Sequence, residues 1–121
     1  MNAFLLVALG GALGSALRYA VSLALIGGAG FPLAVLTVNV VGSFLMGLSF
    51  AYVAERELGG LLLFFQVGLL GGFTTFSAFS LEVFALYEQG LLGQAALYVL
   101  LSVGLSVGAL FAGVFLMRGV S

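Results

Sequence analysis

The chain has 121 residues, 64% of them hydrophobic and only 6% charged, with a formal net charge of −1. Soluble domains carry roughly 25% charged residues, so this composition belongs in lipid, and the length allows about four helical spans and little else. The absence of Cys and His excludes disulfides, thiol catalysis and Cys/His zinc sites, and three arginines cannot build a stripe that tracks nucleic acid.

Glycine, proline and charge divide the chain into four apolar segments, expected to form a single transmembrane domain over residues 1–121. The first runs from about Ala3 to Ile26 and ends at Gly27, Gly28 and Gly30. No Lys or Arg precedes it and it is too long for a signal peptide, so a membrane span is expected. It carries Arg18, near enough to an end to snorkel, yet also placed to draw anions to a vestibule.

The second segment opens at Phe31 with Pro32, the sole proline, whose missing N–H costs nothing in a first helical turn. It continues to about Ala54, where Glu55, Arg56 and Glu57 mark the return to water. Within "LTVNVVGSF", Asn39 lies well inside the span, and an unpaired amide there would cost several kcal/mol. It must face an interhelical partner or a polar lumen, to which its NH₂ offers two donors.

The third segment extends from about Gly60 to Tyr87 and contains "GGFTTFSAFS" at 71–80. Gly71 and Gly72 lower helix propensity, while Thr74, Thr75, Ser77 and Ser80 compete with the helical ladder. A break is therefore expected near the middle of the span. Its freed backbone groups must be buried in protein or line a wet cavity, and released carbonyls suit a hard cation such as Na⁺. A kinked packing helix with its hydroxyls bonded back to the chain is the alternative. Phe73, Phe76 and Phe79 recur at three-residue intervals, which brings Phe76 and Phe79 together on one face if the helix resumes. Ring edges are positive and can stabilise an anion, although packing is the ordinary role of a phenylalanine. Glu82 follows the break, where it could pair with a cation, take a proton or orient a hydroxyl.

The fourth segment, from about Leu91 to Met117 before Arg118, carries Tyr98, Ser102 and Ser106 at i, i+4 and i+8. That spacing aligns three hydroxyls on one stripe, suited either to a passing anion or to bonding back to the helix. Small residues four apart recur as Gly10/Gly14, Ser43/Gly47, Gly68/Gly72 and Gly104/Gly108, a pattern that serves packing within one subunit or between two. With four spans, Arg56 and Arg118 fall on one side and Arg18 toward the other. So weak a bias permits insertion both ways. Four packed helices enclose no hollow, so a conduction path would form between copies.

"GGALGSALRY" (10–19), "TVNVVGSFLMG" (37–47) and "GGFTTFSAFS" (71–80), in this order on four spans, resemble the Fluc (CrcB) family of fluoride channels over essentially the whole chain. The resemblance implies an all-α integral membrane protein of four transmembrane helices per subunit with the third broken, assembled as an antiparallel, dual-topology homodimer in the plasma membrane. It implies passive export of cytoplasmic fluoride through two pores, with a structural Na⁺ at the centre and no catalysis. Asn39, Phe76 and Phe79 would line the pores, with Thr75 and Ser77 on the same path. Tyr98, Ser102 and Ser106 would form a hydroxyl track, Arg18 the vestibule arginine, and Glu82 the glutamate beyond the break. Backbone carbonyls of Gly71 and Thr74 from both subunits would hold the Na⁺. Ala78 stands where the family often has Thr, which leaves the role of that position open. Two rivals remain: a proton-coupled exporter of the four-helix type, for which Glu82 is the sole candidate carboxylate because the first span has none, and a purely structural membrane subunit.

Overall fold

The computed structural model describes residues 2–25, 32–53, 56 and 59–120. The first connection, with Gly27, Gly28, Gly30 and Phe31, lies outside the described residues, as do Ala54, Glu55 and Glu57 of the second. Among the described residues four helices are long and apolar enough to cross a membrane: Ala3–Ala24, Leu33–Val53, Gly60–Glu88 and Leu92–Val120.

Helix α1 (Ala3–Ala24) starts at Asn2, whose Oδ1 accepts from the Phe4 N–H at 2.7 Å and so satisfies one of the orphan donors of the first turn. Helix α2 (Leu33–Val53) follows Pro32, whose carbonyl accepts from the Leu36 N–H. The third span is composite. Helix α3 (Gly59–Leu62) passes into a π-helical segment (Leu63–Leu70), then α4 (Gly71–Phe73), then, after an interruption at 74–76, α5 (Ser77–Glu88). The expected break is present, and Thr74 marks it with an extended backbone at φ −83° and ψ 159°. The π segment was not foreseen, and such stretches gather at functional sites.

Helix α5 ends in a Schellman turn. Gly90 takes φ +78°, the Leu91 N–H reaches the Leu86 carbonyl at 2.9 Å, and the Gly90 N–H reaches that of Tyr87 at 3.0 Å. Only glycine takes this left-handed position without penalty. Helix α6 (Leu92–Val120) then runs the full depth of the bundle with Arg118 in its last turn.

Two seams hold the helices. Helix α1 lies on the π segment and α4, whereas α2 lies along α6, and α1 and α2 touch little. In the first seam Gly10 and Gly14 meet span-three backbone: a Cβ on Gly14 would run into the Leu69 carbonyl and come 2.8 Å from the Phe73 nitrogen. In the second, Gly47 on α2 is equally closed by the Leu110 carbonyl of α6. Of the small-residue pairs, Gly10/Gly14 and Gly68/Gly72 pack within the subunit, while a Cβ added at Gly104 or Gly108 would meet nothing within 4 Å among the described residues. The buried cluster of Val35, Phe79, Leu86, Ala95 and Tyr98 joins α2, α5 and α6, and Ala78 packs against it.

Candidate functional site: a groove at the helix break

Asn39 answers the question its depth raised. Its Nδ2 donates to the Thr75 carbonyl at 2.9 Å, and its Oδ1 accepts from the Thr75 N–H at 2.8 Å. Both backbone groups of one residue in the break are thus satisfied by one side chain from α2. An amide in lipid and a broken helix each carry unpaired polar groups, and here each removes the other's cost. The pairing leaves Asn39 one further N–H to offer.

The same contacts release carbonyls. An unbroken helix would give the Thr75 N–H to the Gly71 carbonyl, but it goes to Asn39. Likewise the Ala78 N–H, which would serve the Thr74 carbonyl, goes to Thr75 Oγ1 at 3.2 Å, as to a helix-capping hydroxyl. Gly71 and Thr74, the pair singled out as cation ligands, are therefore both residues whose helical donors go to side chains instead. Thr74 instead bonds back, its N–H and its Oγ1 both reaching the Leu70 carbonyl at 3.0 Å. On the other flank, Arg18 Nε donates to the Gly72 carbonyl at 3.2 Å, so Arg18 holds the break from α1 as Asn39 does from α2.

A groove of about 470 Å³ opens beside the break, between α2 and α6. Asn39, Gly71, Thr74, Thr75, Phe76, Phe79, Ser102 and Ser106 line it, eight of the twelve residues singled out from sequence. Met46, Val103, Val107 and Leu110 add an apolar wall, and Gly42 and Ser43 complete the α2 side. Phe76 is 75% exposed and Phe79 8%. Their ring centroids are 5.4 Å apart, and Phe79 lies 5.2 Å from Tyr98, so three aromatic groups run in series from the open face to the core.

Tyr98, Ser77, Arg18 and Glu82 stand outside the groove lining. Tyr98 is fully buried behind Phe79. Ser77 Oγ lies 3.4 Å from Thr75 Oγ1 at the groove edge, and Glu82 is half-buried on α5. Ser106 Oγ is buried with no hydrogen-bond partner among the described residues, which is costly unless something else meets it.

Sequence reasoning missed a second polar pair in lipid, Gln66 Nε2 donating to Ser49 Oγ at 2.9 Å. The signal was available. A lone amide in "LLLFFQVGLL" needs a partner as much as Asn39 does.

The profile of the CrcB-like protein, Camphor Resistance (CrcB) family matches residues 5–114. The chain belongs to this family. A "Fluoride-specific ion channel FluC" of Jannaschia sp. (strain CCS1) is 63% identical over 95 residues, covering 78% of this chain and 90% of that protein. One of the same name from Roseobacter denitrificans is 52% identical over 124 residues, with 99% and 98% covered. A third, from Thermus thermophilus, is 50% identical over 119 residues, with 96% and 90% covered. These relatives are named as channels and not as enzymes. With its four spans this family member is a multi-pass membrane protein, in bacteria of the plasma membrane.

Proposed function

We propose that the chain is a fluoride channel that lets the anion leave the cell passively, along the groove beside the helix break. The observation that carries this reading is the convergence of an amide, five hydroxyl side chains and two phenylalanines on one groove in a protein half or more identical to fluoride channels. Fluoride is small and strongly hydrated, so it crosses only where close donors replace its water. The remaining N–H of Asn39, the hydroxyls of Thr75, Ser102 and Ser106, and the edges of Phe76 and Phe79 are neutral donors of that kind. With no Lys or Arg side chain among the groove-lining residues, no single side chain holds the anion too tightly to release it. Tyr98 backs Phe79, Ser77 borders the path, Arg18 and Glu82 act at its approaches, and the whole chain works as one transmembrane domain.

The groove is open on one side, which supports a path completed by a second copy. Gly104 and Gly108, where an added Cβ would meet nothing within 4 Å among the described residues, offer α6 surface that permits close helix approach. In this reading two copies insert antiparallel and build two paths. The released carbonyls of Gly71 and Thr74 fit a Na⁺ at the centre, being oxygen ligands freed of their helical donors. One copy supplies two such carbonyls and hard cations take more oxygens than that, so the partner would supply the rest. When bound, the ion supplies a fixed positive charge that ties the two breaks together. The groove donors then act on the anion as above.

Purified protein in liposomes loaded with fluoride or chloride tests the reading. We expect fast fluoride efflux that generates a voltage, excludes chloride and needs no proton gradient. Efflux strictly coupled to protons would mean an exporter built on Glu82, and no flux would mean a structural subunit. Labelling of a cysteine added at the C-terminus, from both sides of intact cells, tests the antiparallel assembly. Labelling from one side alone defeats it.

A further inference from the structure

A slot of about 180 Å³ opens between the end of α2 and the start of the third span, away from the groove. Tyr52, Val53, Leu61, Leu62 and Phe65 line it, and only carbon surface faces the slot. Ser49 and Gln66 also border it without turning polar surface to it: Gln66 Nε2 donates to Ser49 Oγ, which in turn donates to the Met46 carbonyl at 3.0 Å. Polar ligands find nothing to bond there. The volume is also well below the roughly 300–1,000 Å³ of small-molecule pockets, yet it accepts a stretch of aliphatic chain.

Arg56 stands at the rim of this slot, where the second span meets water. Its guanidinium lies 4.0 Å from the ring centroid of Tyr52, a lining residue, and its Nη1 donates to the Tyr52 carbonyl at 2.9 Å. Stack and hydrogen bond together fix the plane of the guanidinium. The residue is exposed, and the one hydrogen bond to the Tyr52 carbonyl occupies one of its five N–H donors. A planar guanidinium held in place loses little freedom on binding a phosphate, which it matches with two parallel N–H donors.

We propose that this slot binds one anionic phospholipid, with part of an acyl chain among Leu61, Leu62 and Phe65 and its phosphate on Arg56. An all-carbon cleft and a preorganised cation stacked on Tyr52 at its edge are the two halves of such a molecule's chemistry. Basic residues at the edges of interhelical pockets serve lipid headgroups in this way. The site is independent of the conduction path and stands whether or not the groove carries fluoride.

Native mass spectrometry of the full chain in detergent tests it, with phosphatidylglycerol and phosphatidylcholine of identical acyl chains as probes. Both lipids carry a phosphodiester, but the choline ammonium of phosphatidylcholine offsets its charge, so phosphatidylglycerol should bind about tenfold more tightly, the order of one Coulomb contact between a basic residue and a net anionic headgroup. Arg56→Gln should reduce it to the phosphatidylcholine level, while Arg118→Gln should keep the preference. Leu61→Trp, at an exposed position on the slot, should weaken both lipids by filling it. Equal binding of both lipids to the unaltered chain would overturn the proposal. So would a preference that survives Arg56→Gln, a preference lost in Arg118→Gln, or unaltered binding by the Leu61→Trp chain.

Discussion

The two halves of the third span meet the bundle in opposite ways. Upstream of the break, the π segment and α4 lie on α1 backbone to backbone, with Gly10 and Gly14 against Gly68 and Leu69 and with Gly72 against Gly11. Downstream, α5 meets α6 through side chains, Phe79 on Tyr98 with Leu86 and Ala95 around them. Glycine contacts admit almost no adjustment because backbone cannot give way, whereas rings and aliphatic chains can repack. The break thus joins a rigid platform carrying Gly71 and Thr74 to a softer half that presents Phe76 and Phe79. Under the proposed function, oxygens that hold a cation need fixed positions, and rings that let an anion pass need some freedom.

The harshest test strikes the rigid side. Gly14→Ala places a methyl against the Leu69 carbonyl and the Phe73 nitrogen, so α1 must move off span three. We expect a loss of about 3 kcal/mol or more, seen as failure to recover folded protein after extraction. Gly104→Ala, on the open face of α6, should leave the isolated subunit unharmed. Recovery of Gly14→Ala protein with unchanged thermal stability would abolish the contrast between the halves.

The second test cuts the junction itself. Asn39→Ala strips the Thr75 N–H and carbonyl of their partner at once. Each orphaned buried group costs about 1–3 kcal/mol, so destabilisation should be large and fluoride efflux should vanish. Asn39→Asp keeps the acceptor for the Thr75 N–H but loses the donor to its carbonyl, and should fall between the two. If Asn39→Ala stayed folded with full efflux, the clamp would be dispensable.

How much of this was legible in the residues depends on what each feature rests upon. Four spans follow from composition, and the break follows from paired glycines beside four hydroxyls, because both are local properties. The π segment is not local in that sense. "LLLFFQVGLL" is apolar all round, and nothing in it distinguishes i→i+4 from i→i+5 bonding. Asn39 announced that it needed a partner, but Thr75 lies 36 positions away and only the packing of α2 on the break selects it. Gly10 and Gly104 open identical small-residue pairs, and only the fold shows that one closes on Gly68 while the other faces outward. The hydroxyl stripe on α6 was readable from spacing, yet the burial of Tyr98 behind Phe79 was not.

On the softer side the two phenylalanines should separate stability from conduction. Phe76→Ile alters an exposed ring, so folding should hold within about 0.5 kcal/mol while efflux falls sharply with the loss of the positive ring edge. Phe79→Ile also loses ring contacts with Phe76 and Tyr98, each worth about 1 kcal/mol, and should lower both stability and efflux. Undiminished efflux in both variants would reduce the rings to packing.

The smallest effect is expected from Ser106→Ala, and its value lies in the sign. Ser106 buries a hydroxyl oxygen with no partner among the described residues, on a groove where a dehydrated anion would need a donor. If that hydroxyl served only the fold, its unmet bond would be a pure cost, and alanine would stabilise the protein with efflux unchanged. If it serves the passing ion, stability should stay level or rise slightly while efflux drops by about tenfold, one donor's worth at a site where water has been removed. Thermal unfolding and liposome efflux measured on the same preparation separate the two outcomes. A Ser106→Thr chain, which restores the hydroxyl, should recover much of the flux. An alanine chain that conducts normally would remove Ser106 from the path and leave α6 a packing partner of the rings.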